Sequence, residues 1–472
     1  MALAPPGPSD IVIAGATGDL TQRKLLPALY NLSLDGLLPP GSRVMGFARS
    51  ALTDEQFRER TAESIRRYSR RPLEGAAWEA FAGRLSYVSA RDGGLLELAR
   101  RLEGRPRLLY LAVPPRILPS LVGAMAGAGL ARRARVVVEK PFGHDLASAA
   151  SLDYVLRDVF DESQIFRIDH YLGKETVQNI LVLRFGNALW ERVWHRDAIE
   201  HVQITVAESE GIEGRAGFYE ETGALRDVIQ NHALQVLSLL TMEAPASFEV
   251  ETIRDEKTKL LRTLKPLTPA NVVRGQYTAG EVGGEQVPGY RQEEGVAPDS
   301  QTETYIALRT EIDNWRWAGV PFYLRHGKRL PRRVTEVHIA FREAPVRLFT
   351  DLGVSAEDVR PNHLTIRIQP DEGITFSFLA KAPGPEVRVR PVRMNFSYDE
   401  SFTTQPAEAY ERLLHDAMEG DHMLFLRGDG VERSWEIVAP VLESPPPLYF
   451  YPAGTWGPPE ANLVGIQDWH LH

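Results

Sequence analysis

Short, wholly apolar runs alternate with longer helical stretches through the first third of this chain, and this alternation constrains the fold more than any other feature. The runs lie within IVIA at 11–14, RVMGFAR at 43–49, RLLYLAVPP at 107–115 and RARVVVEKPFG at 133–143. A strand without polar alternation is covered on both faces, which is typical of a parallel sheet flanked by helices. Residues 1–168 are therefore predicted to form a doubly wound domain of the α/β class.

Residues 169–472 have a different texture, because their segments alternate apolar and polar residues with a period of two. Few helical stretches separate these segments, so a second, β+α domain (α+β class) with one large, mainly antiparallel sheet is predicted. A long apolar helix, GALRDVIQNHALQVLSLLTM at 223–242, lies between the first segments and carries His232. The Gly-, Glu- and Pro-rich stretch at 278–300 is predicted to be a surface loop. The alternating segments are 200–209, 302–312, 320–330, 335–344, 362–370, 374–381 and 386–398.

The composition excludes several classes of protein. A chain of 472 residues exceeds the size at which one hydrophobic core usually stops growing, which agrees with two domains. The chain has no cysteine, so disulfides, thiolate metal sites and cysteine nucleophiles are excluded. A formal net charge of -9 argues against nucleic acid or a membrane surface as a general partner. Neither a signal peptide nor a membrane helix is recognisable, so a cytoplasmic protein is expected.

The stretch AGATGDL at 14–20 joins the first predicted strand to the first predicted helix. Gly15 and Gly18 allow backbone amides to approach a pyrophosphate at the positive end of a helix, so this turn is predicted to bind a dinucleotide. The pattern is not GxGxxG, and ordinary strand-to-helix turns also contain glycines. Its position at the first βα junction favours the dinucleotide. Lys24, on the helix that follows, is either a surface residue or reaches into the cleft.

Two further strand ends carry candidate residues. The second strand ends in GFARS, where a protein that prefers NAD has an acidic residue for the ribose 2′-hydroxyl. Arg49 stands there instead, and a guanidinium favours a 2′-phosphate, so NADP is the expected coenzyme; a solvated arginine is the alternative. Glu139 and Lys140 precede Pro141, and a cis bond at this proline would direct Lys140 into the crevice. A plain strand terminator explains this pair equally well.

The stretch FRIDHYLGKETVQNILVLRF at 166–185 is predicted to be an amphipathic helix. On such a helix His170 and Lys174, four residues apart, would share one face, and an anion between them would remove their repulsion. Together with Tyr171 they would suit a phosphate dianion near a helix start. A solvated basic helix end is the alternative. Asp169 is either a helix cap or the carboxylate partner of an imidazole elsewhere.

His232 lies among apolar residues, where a histidine is more often structural than catalytic unless a carboxylate fixes its tautomer. Asp169 is the candidate carboxylate. The histidines have no HExxH or other compact ligand spacing, so no metal site is predicted. GxSxG and Walker A motifs are also missing from the sequence, which leaves hydride transfer as the reaction class.

Four motifs in this order, AGATGDLTQRKLLPALYNL, EKPFG, RIDHYLGKE and RDVIQNH, closely resemble those of the glucose-6-phosphate dehydrogenase family. The resemblance runs from near Ile11 to at least FYLRHGKRL at 322–330. It implies a Rossmann-type coenzyme domain and a β+α domain whose large sheet forms a dimer interface, in a homodimer or homotetramer. It also implies hydride transfer from C1 of D-glucose 6-phosphate to NADP, giving 6-phosphoglucono-1,5-lactone and NADPH, the first step of the oxidative pentose phosphate pathway. NAD is expected as a weaker or alternative coenzyme.

The same resemblance implies roles for individual residues. His232 is the general base for the C1 hydroxyl and Asp169 orients it, so that no metal is needed. The substrate phosphate is bound by His170, Tyr171 and Lys174. Lys140, Glu208, Asp227 and Lys328 lie around the sugar hydroxyls and the phosphate. The coenzyme is bound by Gly15, Thr17, Gly18, Asp19, Leu20, Lys24, Arg49 and Lys140.

Some alternatives stay open at this point. Glu208, Asp227 and Lys328 could each be an ordinary solvated charge. Val334 stands where some family members have a lysine for a second, structural NADP, so that second site is not expected here. The alternative functions are a related dehydrogenase of another hexose phosphate or free sugar, and a non-catalytic NADP-binding paralogue. An inactive site would be expected to have lost at least one of its residues, so the intact set argues against the paralogue; the set is Asp169, His170, Lys174 and His232.

Overall fold

The structure is a computed structural model that describes residues 6–39, 41–91, 93–346, 348, 362–402, 407–466 and 468–470. The chain divides into two compact units. Unit 1 consists of Met1–Lys174, Pro245–Asp255 and Pro406–Glu432, and unit 2 of Glu175–Ala244, Glu256–Gln405 and Arg433–His472. The predicted boundary between residues 168 and 169 remains a prediction, and each unit is described separately below.

The strands, in chain order, are β1 Asp10–Ala14, β2 Val44–Ala48, β3 Leu85–Ser89, β4 Arg107–Leu111, β5 Ala134–Val138, β6 Ile165–Ile168, β7 Ile199–Ala207, β8 Val272–Thr278, β9 Gly280–Val282, β10 Glu285–Val287, β11 Tyr305–Glu311, β12 Pro321–Gly327, β13 Val334–Phe341, β14 His363–Gln369, β15 Gly373–Lys381, β16 Val389–Ser397, β17 Phe425–Leu426 and β18 Leu448–Pro452.

The α-helices are α1 Leu26–Leu34, α2 Asp54–Tyr68, α3 Gly75–Ala82, α4 Gly94–Arg101, α5 Leu118–Gly127, α6 Leu146–Val159, α7 Glu175–Phe185, α8 Ala188–Glu191, α9 Ala216–Ala224, α10 Leu234–Thr241, α11 Val250–Thr263, α12 Tyr398–Ser401, α13 Ala409–Glu419 and α14 Gly428–Glu443. Two π-helical segments, Thr21–Leu25 and Leu225–Ala233, run directly into α1 and α10. Short 3₁₀ turns lie at Pro115–Ile117, Glu162–Gln164, Pro269–Asn271, Tyr290–Gln292 and Pro459–Val464.

The sheet of unit 1 has the strand order β17-β6-β5-β4-β1-β2-β3. Strands β1 to β6 are parallel, and β17 joins β6 in the antiparallel direction. All five residues of β1 and of β4 are buried, which accounts for the apolar runs at 11–14 and 108–111 that follow the charged first residue of each strand. The strand order reverses between β1 and β4, and ligands of such sheets bind at the carboxyl ends of the strands at this point. The predicted doubly wound parallel sheet is confirmed.

The sheet of unit 2 has nine strands in the order β16-β15-β14-β13-β7-β12-β11-β8-β18. Its pairs are antiparallel except for β7 with β12 and β8 with β18, which are parallel. The predicted large, mainly antiparallel sheet is therefore confirmed, and the seven alternating segments are its strands β7 and β11 to β16. Strands β8 and β18 were not predicted, because their sequences alternate only weakly.

Two local predictions are wrong. The stretch 166–185 is not one helix, since its first residues belong to β6, residues 169–174 form turns, and α7 begins at Glu175. The stretch 278–300 is not a plain loop, since β9 and β10 pair as a hairpin across Gly283 and Gly284, both with positive φ. Among the described residues, no helix combines the length and the apolar character that a membrane crossing requires.

Candidate active site

The glycine turn of unit 1 packs directly against two neighbouring strand ends. Gly15 has φ +92°, and a Cβ atom built on it would lie 2.0 Å from the carbonyl oxygen of Ala112, just after β4. Its N–H donates to the carbonyl of Phe47 in β2, at 2.8 Å. The Gly18 N–H and the Thr21 hydroxyl both donate to the Gly15 carbonyl, at 2.9 and 3.0 Å. Only glycine fits at position 15, and the turn lies where the strand order reverses.

The other predicted coenzyme residues of unit 1 lie in this turn, on the helix that follows it, or just after β2 and β5. Thr17, Asp19 and Leu20 belong to the turn or its exit, and the exposed Asp19 carboxylate lies 3.5 Å from Arg23. Lys24 lies on the π-helical segment, where its Nζ donates to the Glu408 carboxylate at 2.9 Å. Arg49 follows β2 directly and is exposed. Lys24 therefore has a carboxylate partner from a distant part of the chain, which the sequence did not indicate.

Glu139 and Lys140 follow β5, and the Lys140–Pro141 peptide bond is cis. The Glu139 Oε1 atom accepts hydrogen bonds from two hydroxyls, those of Tyr110 in β4 and of Tyr410 in α13, the latter at 3.3 Å. Burial raises the pKa of Glu139 to about 7, against the two tyrosine hydrogen bonds and the charge of Lys140, which lower it. This carboxyl group therefore titrates close to neutral pH.

Residues 169–174 form consecutive turns before α7. Asp169 is 1% exposed, and its Oδ1 atom accepts from the backbone N–H of Tyr171 at 2.9 Å. The Lys174 Nζ lies 5.4 Å from the centroid of the Tyr171 ring, which is a cation–π distance. The His170 ring lies nearly parallel to the Tyr410 ring, with centroids 6.4 Å apart. The predicted shared helical face is wrong, yet the turn still gathers His170, Tyr171 and Lys174 in unit 1.

Glu208 and Lys328 form a salt bridge in unit 2, between the end of β7 and the end of β12. The parallel pairing of these strands brings the two ends together, and the Glu208 N–H donates to the Gly327 carbonyl at 3.0 Å. The Lys328 Nζ lies 5.1 Å from the Tyr219 ring centroid. Burial alone would raise the pKa of Glu208, but the charge of Lys328 holds it below its ordinary value. Asp227 acts on this pKa in the opposite direction, so these three predicted residues share one electrostatic environment.

Asp227 and His232 lie on the nine-residue π-helical segment Leu225–Ala233. Segments of this kind are rare and occur frequently at functional sites. His232 is 2% exposed, and its backbone N–H donates to the Asn231 side chain at 2.6 Å. At the start of the segment the Leu225 N–H donates to the Glu303 carboxylate at 3.1 Å. The predicted general base therefore lies on a π-helical backbone whose first N–H is bound by a carboxylate.

The two halves of the chain match two family models in succession. Residues 12–179 match the model described as "Glucose-6-phosphate dehydrogenase, NAD binding domain". Residues 181–470 match "Glucose-6-phosphate dehydrogenase, C-terminal domain". The chain belongs to the glucose-6-phosphate dehydrogenase family. The family resemblance inferred from four motifs is confirmed, and the matched coenzyme domain makes the chain a nicotinamide-dependent oxidoreductase.

Individual members of the glucose-6-phosphate dehydrogenase family are similar over almost the full chain. The glucose-6-phosphate 1-dehydrogenase of Rhizobium meliloti is 45% identical, over 99% of this chain and 98% of its own. The crystal structure of the Mycobacterium avium enzyme has a TM-score of 0.86 at 41% identity, covering 98% and 99% of the two chains. A glucose-6-phosphate dehydrogenase solved with its substrate glucose 6-phosphate has a TM-score of 0.90 at 37% identity, covering both chains completely.

The structure also gathers residues that the sequence did not single out. Tyr110 and Tyr410 meet Glu139 in unit 1, and Glu408 meets Lys24. In unit 2, Tyr219 contacts Lys328, and the buried His326 precedes it by two residues. The newly found residues lie outside the glycine turn and the four motifs, so no sequence signal identified them; they are Tyr110, Tyr410, Glu408, Tyr219 and His326. The pairing of Asp169 with His232 remains a prediction.

Proposed function

We propose that this chain binds glucose 6-phosphate and NADP at the predicted site residues. It oxidises C1 of glucose 6-phosphate to 6-phosphoglucono-1,5-lactone, the reaction of its family. The observation that carries this conclusion is the match of both halves of the chain to the family models, with relatives 45% identical over 99% of the chain. The placement of predicted residues within each unit supports it.

The glycine turn fits a dinucleotide. A Cβ atom at Gly15 has no room beside Ala112, so the turn packs closely against the end of β4, at the point of strand reversal where pyrophosphates bind. We assign Gly15, Thr17, Gly18, Asp19, Leu20, Lys24, Arg49 and Lys140 to coenzyme binding. Arg49 would contact the 2′-phosphate, which favours NADP and leaves NAD as the weaker coenzyme. When bound, NADP supplies the hydride acceptor.

His232 is proposed as the general base that takes the proton of the C1 hydroxyl, and Asp169 as the carboxylate that orients its imidazole. A neutral imidazole suits this step, because the anomeric hydroxyl is more acidic than an ordinary alcohol and the pKa of imidazole lies near neutral pH. No metal is needed for this step, and the absence of a metal is part of the proposal. The π-helical backbone around His232 supports a functional role for this residue.

The substrate phosphate is assigned to the turn at 169–174. His170, Tyr171 and Lys174 offer an imidazole, a phenol hydroxyl and an ammonium within six residues, and such donors bind phosphate through charge-assisted hydrogen bonds. Lys140, Glu208, Asp227 and Lys328 are assigned to the sugar hydroxyls and the phosphate. The salt bridge between Glu208 and Lys328 supports a shared role for that pair. We further propose a cytoplasmic homodimer or homotetramer.

The assignment is tested by steady-state kinetics with both coenzymes and with glucose 6-phosphate or glucose. We expect turnover with NADP and glucose 6-phosphate, and a higher KM for NADP but not for NAD in Arg49→Leu. We expect His232→Asn to lose about 10²–10⁴-fold in kcat, with glucose 6-phosphate binding retained in calorimetry. His195→Asn, a histidine outside the proposed site, is the matched control. Equal turnover of another hexose phosphate, or full activity in His232→Asn, would contradict the proposal.

A further inference from the structure

The Glu139 carboxyl group lies at the centre of a hydrogen-bond cluster in unit 1. Tyr110, buried in β4, and Tyr410, buried in α13, both donate to its Oε1 atom. The backbone N–H of the next residue, Lys140, donates to the same carboxyl group, and the Lys140 charge acts on it. Two hydroxyls from β4 and α13 and the N–H of the next residue therefore converge on one side chain just after β5.

The position of this cluster connects it to the proposed site. Lys140 is assigned to substrate and coenzyme, and it is joined to Glu139 both through the chain and through a hydrogen bond. The Tyr410 hydroxyl donates to Glu139, and the Tyr410 ring lies nearly parallel to the ring of His170, which is assigned to the substrate phosphate. The cluster thus lies between two sets of proposed ligand residues within unit 1.

We propose that Glu139 is a positioning residue that acts through Lys140, and that Tyr110 and Tyr410 hold its carboxylate in place for this purpose. The proposal rests on the proposed function, because it concerns residues next to a proposed ligand contact. Glu139 itself is not assigned a contact with substrate or coenzyme.

The hydrogen-bond donors of this cluster favour the ionised form of Glu139, whereas its burial favours the neutral form. A carboxylate only accepts hydrogen bonds, and all three neighbouring groups are donors, whereas a protonated carboxyl group would bring a fourth proton into the cluster. Burial, followed by the charge of Glu139, raises the pKa of Tyr410, so its hydroxyl remains a donor. Burial raises the pKa of Tyr110 in the same way. The other charged groups near the cluster are Lys140 itself and Asp169, which acts on Tyr410.

Because Glu139 titrates near neutral pH, its ionisation should appear in ligand binding. The test measures the dissociation constant of glucose 6-phosphate by calorimetry, without coenzyme, from pH 5.5 to 9, together with kcat and KM. We expect Glu139→Gln to weaken binding and raise KM by about 5-fold, with a smaller change in kcat. A merely structural role would change the melting temperature without changing the pH profile.

The decisive comparison is Tyr410→Phe in two backgrounds. A hydrogen bond to a carboxylate lowers its pKa, so removing the Tyr410 hydroxyl should raise the pKa of Glu139. The acidic limb of the binding profile, the pH range in which binding of glucose 6-phosphate weakens as the pH falls, should then move to higher pH by about half a unit. In the Glu139→Gln background the same substitution should cause no shift. A shift of equal size in that background would overturn the proposal, because it would not arise from Glu139.

Tyr30→Phe is the matched control, since its hydroxyl donates to the Pro72 carbonyl in unit 1 and has no role in the proposed site. If Glu139→Gln does not fold, Tyr110→Phe and Tyr410→Phe still test the proposal, because both should shift the limb in the same direction. Wild-type protein that neither binds nor oxidises glucose 6-phosphate would contradict the proposed function. Wild-type binding with an unchanged profile in all variants would contradict only the positioning role.

Discussion

At the scale of single residues, side chains in the proposed site are held by neighbours from distant parts of the chain. Glu139 accepts hydrogen bonds from Tyr110, 29 positions earlier in the chain, and from Tyr410, 271 positions later. Glu208 meets Lys328 from 120 positions later. Such partners set the charge state of a group, because burial and nearby charges shift its pKa.

The raised pKa of Glu139 should appear in the stability of the protein. Its pKa rises from 4.5 to about 7 on folding, so the folded chain keeps a proton that the unfolded chain loses between these values. The contribution of Glu139 to the free energy of unfolding is therefore fully present below about pH 4.5, and it is lost as the pH rises through about 7. We expect the free energy of unfolding of Glu139→Gln, relative to that of wild type, to increase by about 1–2 kcal/mol from pH 5 to pH 8. Urea unfolding at both pH values measures this, and an unchanged difference would contradict it.

Lys174 should discriminate between phosphorylated and free sugars. A charge-assisted hydrogen bond to phosphate contributes about 1.5–3 kcal/mol, which corresponds to a KM about 10–100-fold higher for glucose 6-phosphate in Lys174→Gln. The kinetics with free glucose at high concentration should change much less. The exposed Lys259, 65% accessible on α11, provides the control substitution Lys259→Gln. Equal effects on both sugars would argue against a phosphate contact.

At the scale of elements, two π-helical segments carry proposed site residues, Lys24 on one and Asp227 and His232 on the other. Apolar periodicity predicted helices here but could not predict the π-helical hydrogen bonding, since segments of five and nine residues are too short to change the apolar period of the whole helix. The prediction of a helix at 166–174 was wrong for a related reason, the shortness of the apolar segment. In that stretch β6 is a four-residue strand with three apolar residues and Arg167, and so short a run does not distinguish a strand from a helix.

Glu303 should support the segment that carries His232. Its carboxylate accepts from the Leu225 N–H at 3.1 Å, and its bulk leaves no room for a Cβ atom at Gly223, which has φ +63°. We expect Glu303→Ala to lower kcat about 3–30-fold and to cost ~1 kcal/mol of stability, because an amide at a helix start loses its acceptor. Glu303→Gln keeps an acceptor oxygen and should retain most of the activity.

The control for Glu303 is a helix start outside the proposed site. Thr53 accepts from the Gln56 N–H at the start of α2, so Thr53→Ala should lower stability by a similar amount and leave kcat unchanged. Thermal melting and steady-state kinetics on the same preparations separate the two effects. A fall in kcat for both variants would indicate a general loss of folded protein.

At the scale of the whole molecule, each unit is built from separate parts of the chain. Unit 1 includes Pro406–Glu432, which supplies α13 and β17. From α13, Glu411 is 2% exposed and forms a two-bond contact with Arg70, at 2.9 and 2.8 Å. It also accepts from Asn31 at 2.7 Å. A late segment therefore completes the first unit through a buried polar network.

Removing this network should destabilise unit 1. Glu411→Ala leaves the Asn31 amide and the Arg70 guanidinium without their acceptor, and breaking a buried ion pair on one side typically costs about 3–5 kcal/mol. Because Arg70 is partly exposed, we expect ~2–3 kcal/mol and a lower melting temperature. The exposed pair of Arg388 and Glu386 gives the control Glu386→Ala, with little expected change. Equal melting temperatures for both variants would contradict the proposed role of Glu411.

Local periodicity, turn chemistry and short motifs were enough to predict the two sheet types, the glycine turn, the candidate residues and the family. The contacts between side chains within each unit became known from the folded chain alone. Tyr110 and Tyr410 donate to Glu139, and Glu208 pairs with Lys328. Glu411 joins a late helix to the rest of unit 1. The physical reason is that these contacts, and the pKa values they set, arise between residues far apart in the chain, whose approach no local pattern encodes.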